Sequence, residues 1–172
     1  MKYLTGYPES LLAQVRQLMA QQRLGEMLRQ RYPQQRHEVR SDRALFDYVQ
    51  ALKAEYLRSS EPVNKACFDN KLHVIRHALG THTTVSRVQG SKLKAKREIR
   101  IAALFRETPP EFLKMIVVHE LAHLRVKDHD KSFYQLCSHM EPNYAQYEFD
   151  LRLYLTYLES DEHADRPSAA LD

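Results

Sequence analysis

From Pro8 onward, Leu11, Leu12, Val15, Leu18, Met19, Leu24 and Leu28 recur at steps of three and four, the spacing that lines apolar side chains along one side of a helix. The pattern predicts an amphipathic helix through this segment, loosened at Gly25, where the absence of a side chain raises the cost of ordering the backbone. Pro33 and the polar stretch to Arg40 read as a loop. Ser41 is then placed to cap a second helix that buries Ala44, Leu45, Tyr48, Val49, Leu52 and Tyr56.

After Pro62 the period changes. Thr83, Val85 and Arg87 alternate, as do Ile99, Ile101, Ala103 and Phe105, and turn signals fall at Asp69-Asn70, Gly80 and Gln89-Gly90-Ser91. Alternation of this kind marks half-buried strands, and about three are expected between residues 66 and 106, paired mostly antiparallel. Thr108-Pro109-Pro110-Glu111 follows as a helix start, with Thr108 as cap, proline at the first helical position and Glu111 closing a capping box. Two further helices are expected, about 131–139 and 143–159, separated by Glu141-Pro142. The order of elements implies an α+β fold: N-terminal helices, a small sheet, a central helix and C-terminal helices.

With 172 residues, 1–159 is expected to form a single domain, and the polar, acidic stretch 160–172 a disordered tail. No apolar run is long enough to span a bilayer, and the opening residues do not have the form of a secretory signal, so a cytoplasmic location without membrane contact is expected. Cys67 and Cys137 are too few and too far apart for a disulfide framework. The net charge of +4 is modest, but it is concentrated. Lys92, Lys94, Lys96, Arg97 and Arg100 lie within nine residues that hold one acid, Glu98, and form a candidate binding strip for phosphates or nucleic acid. The plainer reading of the strip is a solvated edge strand, which lysine protects from aggregation.

The helix after Pro110 contains His119-Glu120-Leu121-Ala122-His123, an HExxH motif. Histidines four apart share one helical face, so both can reach one cation while Glu120 stands beside them as general base for a metal-bound water. A catalytic zinc takes three protein ligands as a rule, and His129, six residues past His123, is the candidate for the third. The same spacing in metzincins uses a glycine to turn the chain; here that position is Val126, so the turn must be made otherwise, with Lys127-Asp128 as the candidate. A purely structural zinc site would need a fourth ligand, for which Cys137 or His139 is available. Tyr134, His139 and Tyr144 are candidates for stabilising an oxyanion.

The run SRVQGSKLKAKREIRIAALF, followed by FLKMIVVHELAHLRVKDHDKSFYQLCSHMEPNY, resembles the YgjP-like metallopeptidase-domain family. The opening TGYPESLLAQVRQL and the stretch NKACFDNKLHVIRHALG resemble it as well. The resemblance implies a zincin-like domain with one zinc on His119, His123 and His129 and the base on Glu120, and more distantly it is similar to SprT-like and Wss1-like proteases. The expectation is therefore a zinc-dependent hydrolase, foremost a metallopeptidase. The alternative is a metal-dependent nucleoside triphosphate pyrophosphatase whose basic strip holds phosphates. A non-catalytic zinc module that binds nucleic acid is the third reading, and Glu120 argues against it because a structural site needs no base.

Overall fold

In a computed structural model the described residues are 1–72, 80–89 and 92–160, with backbone alone described for 80–89 and 92–96. The tail expected to be disordered therefore lies, from residue 161 on, outside the described residues. The described residues form six α-helices and a three-stranded sheet, with α3 and α4 packed on the sheet: α1 (Glu9–Ala20), α2 (Leu24–Arg31), α3 (Asp42–Tyr56), β1 (Val63–Asp69), β2 (Gly80–Gln89), β3 (Lys92–Ala102), α4 (Pro110–Ala122), α5 (Lys131–Met140) and α6 (Tyr144–Leu158). The class is α+β.

The first helical pattern is divided between α1 and α2, and the break comes at Gln21–Arg23, upstream of Gly25. Arg23 N–H donates to Leu18 O at 2.8 Å and Gln22 N–H to Met19 O at 2.9 Å, while Gln22 takes φ of +54°. These two bonds and the left-handed residue make a Schellman stop, which satisfies the last carbonyls of α1 without a glycine. Gly25 has a different use. A Cβ there would stand 2.6 Å from the Tyr157 ring, so its bare backbone lets α2 lie directly on α6.

Ser41 caps α3 as its position predicts, its Oγ accepting from Ala44 N–H at 3.1 Å. Thr108 does not cap α4. Its hydroxyl donates back to Phe105 O at 3.3 Å, and the helix begins at Pro110 with Pro109 at the cap position. The strand expected to run through Phe105 ends at Ala102, because Ala103–Glu107 tightens into a 3-10 turn that buries Phe105.

The sheet order is β1-β3-β2. β2 and β3 are antiparallel, whereas β1 and β3 are parallel, with Ala66 opposite Ile99 and Phe68 opposite Ile101. The expectation of a mostly antiparallel sheet is thus corrected to a mixed one. The chain runs up, down and up, and β3 inserts between its predecessors instead of adding to the outer edge, so the first and third strands run the same way. Asp42, the first residue of α3, accepts from Phe68 N–H at 2.9 Å and pins that helix to β1.

α4 lies at the centre, packed against β2 and β3 on one side and α5 and α6 on the other. Its residues from Met115 to Ala122 are all buried, including His119 and Glu120. A helix buried all round shows little amphipathic contrast, and its location follows from its continuous apolar run. α6 is tied to α2 by a buried carboxylate: Asp150, fully inaccessible, accepts from Arg31 Nη1 at 2.7 and 2.8 Å and from the Tyr32 hydroxyl at 2.6 Å. Asp150→Ala is expected to destabilise the protein by about 2–3 kcal/mol, because the Tyr32 hydroxyl then stays buried without its acceptor while Arg31 can turn to water. Urea denaturation of parent and variant measures the difference.

Among the described residues no helix is long and apolar enough to cross a membrane.

Candidate metal centre

α4 delivers His119 from its last full turn and His123 from its C-cap. Beyond His123 the chain unwinds without any left-handed residue: Leu124 N–H donates to Leu121 O, and Arg125 and Val126 N–H both donate to Ala122 O. A bend at Asp128 then brings His129 back toward the helix end. Val126 therefore occupies the metzincin glycine position without backbone strain, since the turn uses right-handed and extended conformations only. α5 starts directly after His129, its N-cap Asp130 accepting from Phe133 N–H at 3.0 Å and from Ser132 Oγ at 2.6 Å.

The three imidazoles converge through the same atom. Nε2 of His129 is 3.0 Å from Nε2 of His119 and 3.1 Å from Nε2 of His123. Their other nitrogens explain this orientation. His123 Nδ1 faces the Val126 carbonyl at 3.0 Å, which can only accept, so the proton of the neutral ring sits on Nδ1 and Nε2 carries the lone pair. His119 Nδ1 meets the Tyr144 hydroxyl at 2.7 Å, and that hydroxyl in turn reaches Cys137. A tyrosine that gives its proton to the sulfur accepts from Nδ1–H, which again leaves Nε2 free.

Burial enforces neutrality. Desolvation, followed by the charges of His123, His129 and Arg152, lowers the His119 pKa to about 3. Desolvation also lowers that of His123, more than the Val126 carbonyl raises it. Phe133, wholly inaccessible, places its ring 4.9 Å from that of His119, 4.6 Å from His123 and 4.8 Å from His129, closing one side of the cluster with hydrocarbon. Two neutral Nε2 donors held by defined partners, with a third 3 Å away, form a donor set of the kind that takes a metal ion.

Glu120, next to His119, is 1% exposed, and its Oε2 has no hydrogen-bond partner among the described residues. Burial alone raises its pKa to about 8. An unpartnered carboxylate oxygen is costly to bury, and such a group beside a metal-binding cluster is suited to taking a proton.

The other sequence candidates fall into different places. Tyr144 is buried, with its hydroxyl 2.7 Å from His119 Nδ1 and hydrogen-bonded to Cys137. Among the described residues the cluster holds three ligand atoms, without Cys137 or His139. Cys137 is fully buried with its thiol pushed up to about 12 by desolvation, and His139 is exposed, edge-on to Tyr56 at 5.8 Å. Of the basic strip, Arg97 pairs with Glu61, and Arg100 Nε lies 3.0 Å from Asp69. The side chains of Lys92, Lys94 and Lys96 lie outside the described residues. The supports given by Tyr144 and Phe133 could not be found from spacing, because they come from elements whose packing the chain order alone does not fix.

The YgjP-like family, described as "YgjP-like, metallopeptidase domain", matches residues 83–154, which include the whole histidine cluster and α5. The chain is also 61% identical over 156 residues to the UTP pyrophosphatase of Escherichia coli (strain K12), covering 91% of this chain and 93% of that relative. No solved structure matches. These findings and the histidine cluster make the protein a metal-dependent hydrolase. They give the nucleic-acid partner no support.

Proposed function

This chain belongs to the YgjP-like family, and we propose that it is a zinc-dependent nucleoside triphosphate pyrophosphatase acting on UTP or a close analogue. The observation that carries the reading is the convergence of three Nε2 atoms beside the buried carboxylate of Glu120, whose Oε2 has no hydrogen-bond partner among the described residues, the equipment for hydrolysis. The substrate is supported by the 61% identity to a UTP pyrophosphatase across nearly its full length.

His119, His123 and His129 would hold the ion, one per chain, and an all-imidazole donor set favours zinc over magnesium or calcium, which prefer oxygen. When bound, such an ion supplies Lewis acidity to a phosphoryl oxygen and makes water easier to deprotonate. The remaining chemistry belongs to the protein. Glu120 accepts a proton at Oε2 as water attacks phosphorus; burial alone favours its protonated form, and a cation on the three histidines would favour the ionised form that this step requires. The bond between the α- and β-phosphates breaks, the water oxygen stays on one product, and UMP and pyrophosphate leave. The apolar wall made by Phe133 keeps bulk water from one side of the cluster.

Tyr144 and the Val126 carbonyl keep His119 and His123 in the tautomer that offers Nε2. Tyr144→Phe keeps the ring and removes the acceptor, so zinc affinity is expected to fall about tenfold to a hundredfold. A zinc titration against a competing chelator reads this, and circular dichroism of the metal-free variant should remain that of the parent.

A peptidase reading is favoured by the HExxH motif and by the description of the family. One experiment separates the two. Zinc-loaded protein and its Glu120→Gln variant are given a mixture of nucleoside triphosphates and unstructured peptides. Loss of UTP with the parent alone supports the pyrophosphatase reading; loss of peptides with UTP untouched supports the peptidase and removes the proposal.

A further inference from the structure

We propose that the outer face of α5 forms the nucleotide-binding platform of this site, with Tyr134 stacking on the base and Lys131 meeting the phosphates. The proposal rests on the nucleoside triphosphate reading above and names residues that would recognise the substrate.

Tyr134 is 41% exposed, and among the described residues Met1 is the only other large apolar side chain so open to solvent. Its position sets it apart from an incidental surface tyrosine. It follows Phe133, whose ring touches all three histidines, and its own ring lies 5.4 Å from Phe133 and 6.4 Å from Tyr144, the His119 partner. One aromatic layer thus separates it from the metal centre. A partly exposed aromatic ring one layer from the histidine cluster offers a surface on which a planar base can pack, and such stacking tolerates any base.

The groups around it have the polarity that a nucleotide requires. Tyr134 borders a shallow, open patch of surface shared with Lys131, Gln135, Ser138 and His139. Lys131, Tyr134 and Ser138 succeed one another at three and four residues along one side of α5, so a ligand lying along the helix meets all three. Lys131 comes two residues after His129 and has no ion-pair partner among the described residues. The neighbouring carboxylate of Asp130 is engaged by Ser132 and the Phe133 N–H, which turns it to the helix cap. Gln135 offers both a donor and an acceptor, matching the mixed edge of a pyrimidine. Arg97 and Arg100 of the basic strip are by contrast committed to Glu61 and Asp69.

The test uses the zinc-loaded Glu120→Gln protein and measures binding by calorimetry, with α,β-methylene-UTP and inorganic tripolyphosphate as the two probes. Adding Tyr134→Ala is expected to weaken binding of the UTP analogue roughly tenfold, the loss of one stacked base, with far less effect on tripolyphosphate. Tyr134→Phe, which keeps the ring, should restore binding of the analogue. Lys131→Gln should weaken both probes. Unchanged analogue binding in Tyr134→Ala, with the Glu120→Gln protein binding it well, overturns the platform and leaves the pyrophosphatase reading standing. If the parent neither hydrolyses UTP nor binds the analogue, both fall together.

Discussion

Glu120→Gln is expected to lower turnover of UTP by about a hundredfold to ten-thousandfold, the range for loss of a positioned general base, while zinc content and fold are retained. Glutamine has nearly the shape of glutamate and cannot accept the proton. The variant also has a stability signature independent of substrate. Burial raises the Glu120 pKa to about 8 from its ordinary value of 4.5, so the folded metal-free protein holds a proton that the unfolded chain releases in that interval. The unfolded state then binds fewer protons, and stability falls as pH rises from 4.5 through 8. Metal-free Glu120→Gln should escape that loss and gain stability over the parent between pH 5 and 8, as read by thermal melts at a series of pH values. Equal pH dependence in the two proteins would remove the argument that burial makes Glu120 basic.

Replacing His119, His123 or His129 by alanine is expected to abolish stoichiometric zinc binding, each one singly, and with it all turnover. Three protein ligands are the usual complement of a catalytic site, and none of the three has a substitute among the described residues. The losses should differ in their structural cost. His119 is buried between Tyr144 and Phe133, so His119→Ala opens a cavity and strands the Tyr144 hydroxyl, whereas His129 is exposed and its removal should leave thermal stability of the metal-free protein almost unchanged. Metal analysis of the purified variants, beside their melting temperatures, separates loss of a ligand from loss of the fold. A His129→Ala protein with full zinc would show that the third ligand lies elsewhere.

Local signals in the sequence were reliable where one residue contacts its own helix. Ser41 reads as a cap and is one, and HExxH four residues apart on α4 brings two imidazoles to one place. Signals that depend on competition between neighbours were less so. Thr108 has the chemistry of a cap, but its hydroxyl is drawn to Phe105 O by the preceding 3-10 turn. The sequence reads as one helix loosened at Gly25, whereas Schellman bonds stop α1 at Gln22, and Gly25 is required by the nearness of Tyr157. Strand pairing was legible as alternation but not as order, since nothing local says that β3 should insert between β1 and β2. The parts of the site that orient the ligands were the least visible. Tyr144 is 25 residues from His119, and its place beside Nδ1 follows only when α6 packs on α4.

The central claim is that the three-histidine centre and Glu120 hydrolyse a nucleoside triphosphate between its α- and β-phosphates. Phosphorus NMR of UTP incubated with zinc-loaded protein in ¹⁸O-labelled water tests it most directly. The account predicts equal amounts of UMP and pyrophosphate, one labelled oxygen per cleavage, and no reaction with Glu120→Gln. UTP left intact, or cleaved equally well by Glu120→Gln, would contradict it.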